Sequence, residues 1–218
     1  DVEFLALLNP DAFPEENWLR ALVDAAEKNP VCGSFSSMML NANDPEILDG
    51  CGDVLHFSGV PWRVGHGQPR KNFERAKAGR FSACAGAALY RVKAWNEAGG
   101  FDESFFMYIE DIDLGFRLQL LGYCCCFVPE AVVKHIGSAT AGYRSDFALY
   151  HGHRNLVWNY FKNMPWQLLL ITLPFHILMN IVTIIVFVCR GRGRVILKSK
   201  RDAVIGLPQV FKLRTALL

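Results

Sequence analysis

Three carboxylates fall within four positions, Glu110, Asp111 and Asp113, at the head of the stretch EDIDLGFRLQLLGY. Side chains of this type take up protons or hold cations. Leu114, Leu118 and Leu121 follow at i, i+4 and i+7, one apolar stripe, so the stretch predicts a helix. Gly122 predicts its end, because the left-handed residue that often closes a helix is adopted without strain by Gly. The carboxylates then occupy the first turn, away from the leucines. A structural role explains them equally well. First-turn acids complement the free N–H groups and the helix dipole, and Asp113 can pair with Arg117 at i+4.

Other residues invite chemistry. Asn9-Pro10-Asp11 ends the apolar run Glu3 to Leu8, either as a cation-holding turn or simply as a strand stop. His135 closes another apolar run. Gly86-Ala87-Ala88 offers a small-residue surface for close approach, or tight strand packing. The glycine-rich stretch from Ile47 to Gly67 carries His56, Trp62 and His66 and reads as a hairpin or lid, with Trp62 its candidate substrate contact.

The elements that must position these residues alternate. Strands are predicted over Glu3 to Leu8, Val31 to Leu40, Phe81 to Tyr90, Cys124 to Val128 and Ala131 to His135, the last two split by Pro129. Helices are predicted from Pro14 to about Asn29, with Trp18, Leu22 and Ala25 on one face, and from Val92 to Ala98, besides the one after Glu110. This is an α/β pattern with a mainly parallel sheet and helices on both faces. Ligands in such sheets sit outside the carboxyl ends of the strands. Asp11 follows the first strand and His135 closes the last, so both can converge on one rim with Asp111.

The ordered array from Gly86 to Thr140, GAALYRVKAWNEAGGFDESFFMYIEDIDLGFRLQLLGYCCCFVPEAVVKHIGSAT, resembles the second half of the catalytic domain in glycosyltransferase family 2. These are inverting enzymes of the Rossmann-like GT-A fold, and the likeness is closest to rhamnosyltransferase-like members. It extends from about Phe4 to about Pro165. The resemblance implies an enzyme that moves a sugar such as rhamnose from a nucleotide-sugar donor to a glycan or lipid-linked acceptor. It assigns Asp111 as the general base that takes the acceptor proton, with Glu110 and Asp113 supporting the loop or contacting acceptor. It assigns Asp11 to a divalent Mg2+ or Mn2+ on the donor diphosphate, His135 as a further metal ligand, and Asn9, Gly86 and Ala87 to the substrate surface. The usual Asp-x-Asp reads Asn9-Pro10-Asp11 here and keeps only its last carboxylate. No Gln-x-x-Arg-Trp occurs, and that motif marks the processive members, so transfer of one or a few sugars is implied. The family's opening strand–helix–strand unit is not in this sequence, which on that ground reads as a fragment inactive by itself. The rival reading is a non-catalytic remnant that associates with a membrane or a partner.

Composition bounds the rest. Hydrophobic residues make up 51% and charged ones 20% of 218 residues, enough apolar side chains for a sizeable core. The net charge of +2 hides an asymmetry: from Arg190 onward eight Lys/Arg stand against one acid. A basic tail behind an apolar run points to a membrane surface, and no aromatic-and-basic pattern points to nucleic acid. The seven cysteines include no CxxC pair, so neither a disulfide framework nor a zinc site is expected, and Cys124 to Cys126 read as small buried residues of a reducing compartment.

Residues 1–150 are thus expected to be the catalytic part, 151–165 an amphipathic lead-in, 166–189 a hydrophobic membrane segment and 190–218 a basic amphipathic tail. Trp166 to Cys189 is 24 residues without a charge, long enough to cross a bilayer, though Pro174 and His176 interrupt it. A bent hairpin or interfacial helices would keep both flanks on the cytoplasmic face, where sugar nucleotides are.

Overall fold

The computed structural model describes residues 2–76, 79–137 and 145–215. The last residues of the resembled array, 138–140, and of the basic tail, 216–218, lie outside them. Two compact units emerge. One comprises Asp1–Val54, Pro61–Asp102 and Asp111–Ala139, the other Leu55–Val60, Glu103–Glu110 and Thr140–Leu218. Two short segments of the expected catalytic part, and its end from Thr140, therefore group with the tail.

The first unit is built on a six-stranded sheet. Its strands are β1 (Phe4–Leu8), β2 (Ala12–Pro14), β3 (Cys32–Asn41), β4 (Asp44–Gly50), β7 (Ala87–Arg91) and β8 (Cys124–His135), in the order β1-β7-β3-β8-β2 with β4 also on β3. β5 (Asp53–Leu55) and β6 (Pro61–Arg63) form a separate two-stranded ribbon, as the glycine-rich hairpin reading expects. The expected mainly parallel sheet is corrected to a mixed one. β3 and β8 run parallel, but β7 enters antiparallel between β1 and β3, and β2 and β4 pair antiparallel at their own strands. Hydrophobic runs alone do not carry strand direction, which is where that expectation went astray.

Helices cover both faces, and alternation along β7 explains why. Ala87 and Leu89 face α1 (Trp18–Lys28), which buries Trp18, Leu22 and Ala26 among Phe35, Met39, Val128 and Val133. Ala88 and Tyr90 face the other way, onto α2 (Val92–Ala98) and α3 (Glu110–Leu120), where Ala94, Ala98, Leu114 and Leu118 pack with Cys125. α2 ends at Gly99, whose φ of 79° makes it a left-handed cap. The leucine stripe of α3 holds for Leu114 and Leu118, while Leu121 lies past the helix and is half exposed.

Three local readings change. The strand expected over Phe81 to Tyr90 begins only at Ala87, and residues 81–86 form a loop. Pro129 does not split two strands: β8 runs through it with an irregularity, pairing Val128 with Ser37 and then Val132 with Met38. A proline is tolerated there because a bulge needs no ladder N–H from it. Cys32 and Cys124 are register partners on neighbouring strands, Cα atoms 4.3 Å apart, and are joined as a disulfide, against the expectation of free cysteines. The pairing joins positions 92 residues apart, which cysteine spacing alone does not reveal.

The second unit contains α4 (Asp146–Asn163), α5 (Trp166–Cys189) and α6 (Gly193–Thr215). Ser145 caps α4 by accepting from Ala148 N–H, so this helix starts before the expected lead-in. α6 packs on α4, burying Ile196, Ser199, Ala203 and Val210, and Trp158 Nε1 donates to the Ala203 carbonyl at 2.9 Å. α5 is one continuous helix through Pro174, not a bent hairpin. Thr172 and His176 turn inward. His176 stacks on Tyr160 at 3.8 Å and meets the Ser58 carbonyl at 2.8 Å, and the Tyr160 and Thr172 hydroxyls lie 2.8 Å apart. Most of its remaining apolar side chains are exposed, among them Ile171, Leu178, Ile181 and Ile185.

Candidate active site

Asp111 opens α3 and is held by backbone. Ile112 N–H donates to its Oδ1 at 2.9 Å, and Ala85 N–H to its Oδ2 at 3.3 Å. The second donor comes from the 81–86 loop. That loop can lie so close to α3 because residue 115 is glycine, where a Cβ would collide with Ser82. Its other side is laced to β5, with Asp53 N–H donating to the Ser82 carbonyl at 3.0 Å and Phe81 N–H to the Asp53 carbonyl at 2.8 Å. This ladder carries the Asp53 carboxyl into the interior, 6% exposed, with no hydrogen-bond partner for Oδ2 among the described residues.

The charge of Asp111 acts on Asp53, so the two carboxyls do not ionise independently. Burial, and next the charge of Asp111, push Asp53 up to about 7. Burial also raises Asp111, opposed by the Arg63 guanidinium and by its backbone N–H partners. Arg63, on β6, is the cation of this cluster. Its Nη1 donates to Asp49 Oδ2 at 3.1 Å and its Nη2 to Cys84 Sγ at 2.9 Å. Burial pushes the Cys84 thiol up to about 12, so it stands there as a neutral acceptor and not as a nucleophile.

Asp49, on β4, leads to the second group of candidates. Its Oδ2 accepts from His135 Nδ1 at 2.9 Å, and the far ring nitrogen, Nε2, lies 3.4 Å from Asp11 Oδ1. Backbone pairing brings Asp11 there: Ala12 is the register partner of His135, and Ile136 N–H donates to the Asp11 carbonyl at 3.0 Å. The His135 ring is held above its ordinary value, first by the hydrogen bond to Asp49, with burial opposing and the Asp49 and Asp11 charges adding. Burial works against the Asp49 charge, but His135, Arg63 and His66 outweigh it and hold that carboxyl low. Asn9 adjoins this region, its N–H donating to the Gly86 carbonyl at 2.9 Å and its side chain lying against the Gly86 Cα.

The first unit thus gathers Asn9, Asp11, Gly86, Asp111 and His135 around a carboxylate-rich cluster. Four expected site residues are not part of it. Asp113 is 0% exposed and accepts from Arg117 Nε at 3.0 Å and Nη2 at 2.5 Å, while Arg117 Nη1 donates to the Ala98 carbonyl. It thus stands in the interior ion pair that the i+4 spacing offered, because α3 points both groups inward. Ala87 likewise belongs to the core beneath α1. Glu110 groups with the second unit, in the segment Glu103–Glu110. Trp62, on β6, is 53% exposed. Among the described residues no group of three or more His, Cys, Asp or Glu side chains is arranged to hold a metal ion.

Asp49, Asp53, Arg63 and Cys84 were not singled out from the sequence. The signal lay in DGCGD, 49–53, two carboxylates and a cysteine separated by glycines that make room.

Comparison with known proteins bears on this arrangement. Residues 75–190, more than half of the chain, match the family described as Glycosyl transferase family group 2. Over 155 residues the chain is 30% identical to an N-acetylglucosaminyl-diphospho-decaprenol L-rhamnosyltransferase of Mycobacterium tuberculosis, covering 64% of this chain and 49% of that protein. It therefore spans about half the length of that relative. Over 53 residues it is 43% identical to the rhamnosyltransferase WbbL of Escherichia coli, 24% of this chain and 20% of that one. Among solved structures, a crystal structure of GalNAc-T7 with UDP, GalNAc and Mn2+ superimposes with a TM-score of 0.54 at 18% identity, over 73% of this chain and 31% of that chain. The last likeness is one of fold, and it agrees with the GT-A kind of α/β architecture.

Proposed function

Because the chain belongs to glycosyl transferase family group 2, we propose that it is the acceptor-side and metal-side part of an inverting transferase that moves a sugar, rhamnose in the first instance, from a nucleotide-sugar donor. The acceptor would be a lipid-linked glycan precursor. The donor sugar and the lipid-linked acceptor rest on the mycobacterial relative, whose name gives both L-rhamnose and a diphospho-decaprenol lipid.

The observation that carries this reading is the setting of Asp111. Two backbone N–H groups fix its carboxylate, and a buried environment raises its proton affinity. A general base needs both, a fixed position and a pKa nearer the working pH. Asp111 would take the proton of the acceptor hydroxyl as that oxygen attacks the anomeric carbon. Arg63 favours its ionised form beforehand. With Cys84 neutral, no nucleophile is suggested within the cluster, in keeping with a single displacement and inversion.

A divalent ion fits Asp11 and His135. Asp11, in the turn before β2, and His135, at the end of β8, face one another, and Mg2+ or Mn2+ commonly takes few protein ligands and fills its shell with diphosphate and water. When bound, such an ion would neutralise charge on the departing nucleoside diphosphate. Asn9 and Gly86, side by side next to Asp11, would border the donor.

α5 supports a membrane location. It is 24 residues long with a mean hydropathy of 2.3 over its most apolar window and has little of its surface covered within the protein. Arg190, Arg194 and Lys198 are exposed just beyond it, the pattern of a basic anchor at a cytoplasmic lipid face. A bilayer there would bring the enzyme to a lipid-linked acceptor.

The test is Asp111→Asn in the full-length protein. Transfer should fall by roughly 10²- to 10⁴-fold with donor binding kept. Near-parental turnover would remove Asp111 from the role of base.

A further inference from the structure

His135 touches two carboxylates unequally. Nδ1 lies 2.9 Å from Asp49 Oδ2, whereas Nε2 lies 3.4 Å from Asp11 Oδ1. The first distance is that of an N–H···O hydrogen bond and the second exceeds it. An ionised carboxylate only accepts, so the ring proton at Nδ1 is directed to Asp49. On a neutral ring that leaves the Nε2 lone pair bare and facing Asp11. Asp49 is itself fastened: its Oδ2 also accepts from Arg63 Nη1 at 3.1 Å, and its carbonyl meets His66 Nδ1 at 2.8 Å. Its side chain is 16% exposed and that of His135 10%, so water competes little for either.

We infer that Asp49 is a positioning residue for His135, holding the ring and its proton so that Nε2 presents a lone pair to a divalent cation shared with Asp11. The inference rests on the metal reading above and deepens it. A carboxylate behind a ligating imidazole fixes the tautomer and raises the basicity of the ligand atom. Asp49 would not touch the ion. Arg63 would act one step further out, keeping the Asp49 carboxylate ionised and turned toward the ring.

The experiment has two readouts that do not depend on turnover. Mn2+ is titrated into the full-length protein and followed by the loss of the free-ion EPR signal. The protonated nitrogen of His135 is read from 15N chemical shifts of the metal-free protein in mildly alkaline buffer. The parent should bind Mn2+, His135→Ala and Asp11→Ala should abolish binding, and Asp49→Asn should weaken it roughly 10- to 100-fold, with Asp49→Glu recovering part of the loss. In the parent the proton should be on Nδ1, and in Asp49→Asn it should redistribute toward Nε2. If Asp49→Asn binds Mn2+ as the parent does while His135→Ala does not, the metal reading stands and the role of Asp49 is overturned. If the parent binds no Mn2+, or binds it undiminished in His135→Ala and Asp11→Ala, the metal reading falls and the inference with it. A proton found on Nε2 of the parent overturns the inference without reliance on any variant.

Discussion

Arg63 reaches Asp49 across a gap that Gly50 leaves open: Nη1 is 3.1 Å from Oδ2, and a Cβ on Gly50 would occupy the space of the Arg63 Cγ and Cδ. The guanidinium of the Asp49–Asp53–Asp111 cluster therefore depends on a neighbour having no side chain. Gly50 lies in β4 at ordinary backbone angles, so its need is for space and not for a left-handed φ.

Gly50→Ala should accordingly displace Arg63 and lower stability by about 1–3 kcal/mol, the range for overpacking. Urea denaturation of the variant beside Arg63→Ala measures this. The double variant should lose much less than the two single losses added together, since the added methyl has nothing to strike once Arg63 is short. Simple additivity would show that Gly50 and Arg63 do not oppose one another.

Asp53 predicts a pH-dependent stability. Its folded value of about 7 lies above the ordinary ~3.9 of an unfolded Asp. As pH rises between those values the unfolded chain releases this proton and the folded one keeps it, so the parent loses stability with rising pH. Asp53→Asn removes the term. The melting temperature of the variant relative to the parent should therefore be higher at about pH 8 than at about pH 5, by on the order of 5 °C. A difference that stays flat across this window would mean that Asp53 is not a buried acid in solution.

Asp113 and Arg117 predict a structural phenotype. Arg117→Ala leaves the Asp113 carboxylate buried without its ion-pair partner and should cost roughly 3–5 kcal/mol. Asp113→Asn should cost less and leave KM for both substrates unchanged in the folded fraction. A selective rise in acceptor KM in Asp113→Asn would restore the substrate-contact role that its burial argues against.

The apolar surface of α5 predicts tight membrane association. The protein should stay with vesicles through high-salt and alkaline washes, which strip proteins held by charge alone. Ile181→Asp, at an exposed position near mid-helix, should shift it toward the soluble fraction, since an Asp at the centre of a spanning helix costs roughly 2.5–3.5 kcal/mol. Release of the parent by salt alone would leave only the basic residues as anchor.

Legibility followed the range of the interactions. Local chemistry read well: the α3 start at Glu110, the Gly99 cap and the 24-residue apolar helix all follow from neighbours in sequence. Pairing did not. Whether β7 enters parallel or antiparallel, and that Cys32 faces Cys124, depends on residues far apart in the chain. The site divided the same way. Asp11, Asp111 and His135 stand at element ends, where composition marks them. Asp49 sits in β4, paired only with β3, and Asp53 and Arg63 in a ribbon of short strands whose register no periodicity announces. The pairing of Asp113 with Arg117 was legible as well, because positions i and i+4 of a helix are neighbours.

The irregularity around Pro129 is in effect a counting device. Val128 pairs with Ser37 and Val132 with Met38, so three residues of β8 are taken up where β3 spends none. Everything beyond inherits its facing from that number, including Val133, which seals the core, and His135, which meets Asp11 and Asp49. Lengthen the segment by one residue and Lys134 arrives in the histidine's slot, bringing an ammonium to a place of carboxylates. Shorten it by one and Ile136 arrives, with nothing to offer a proton or an ion. The ladder would still close in either case, and the helices would still have a sheet to pack on. A protein altered in this way could fold and be chemically blank, its defect lying several residues from any group that does chemistry.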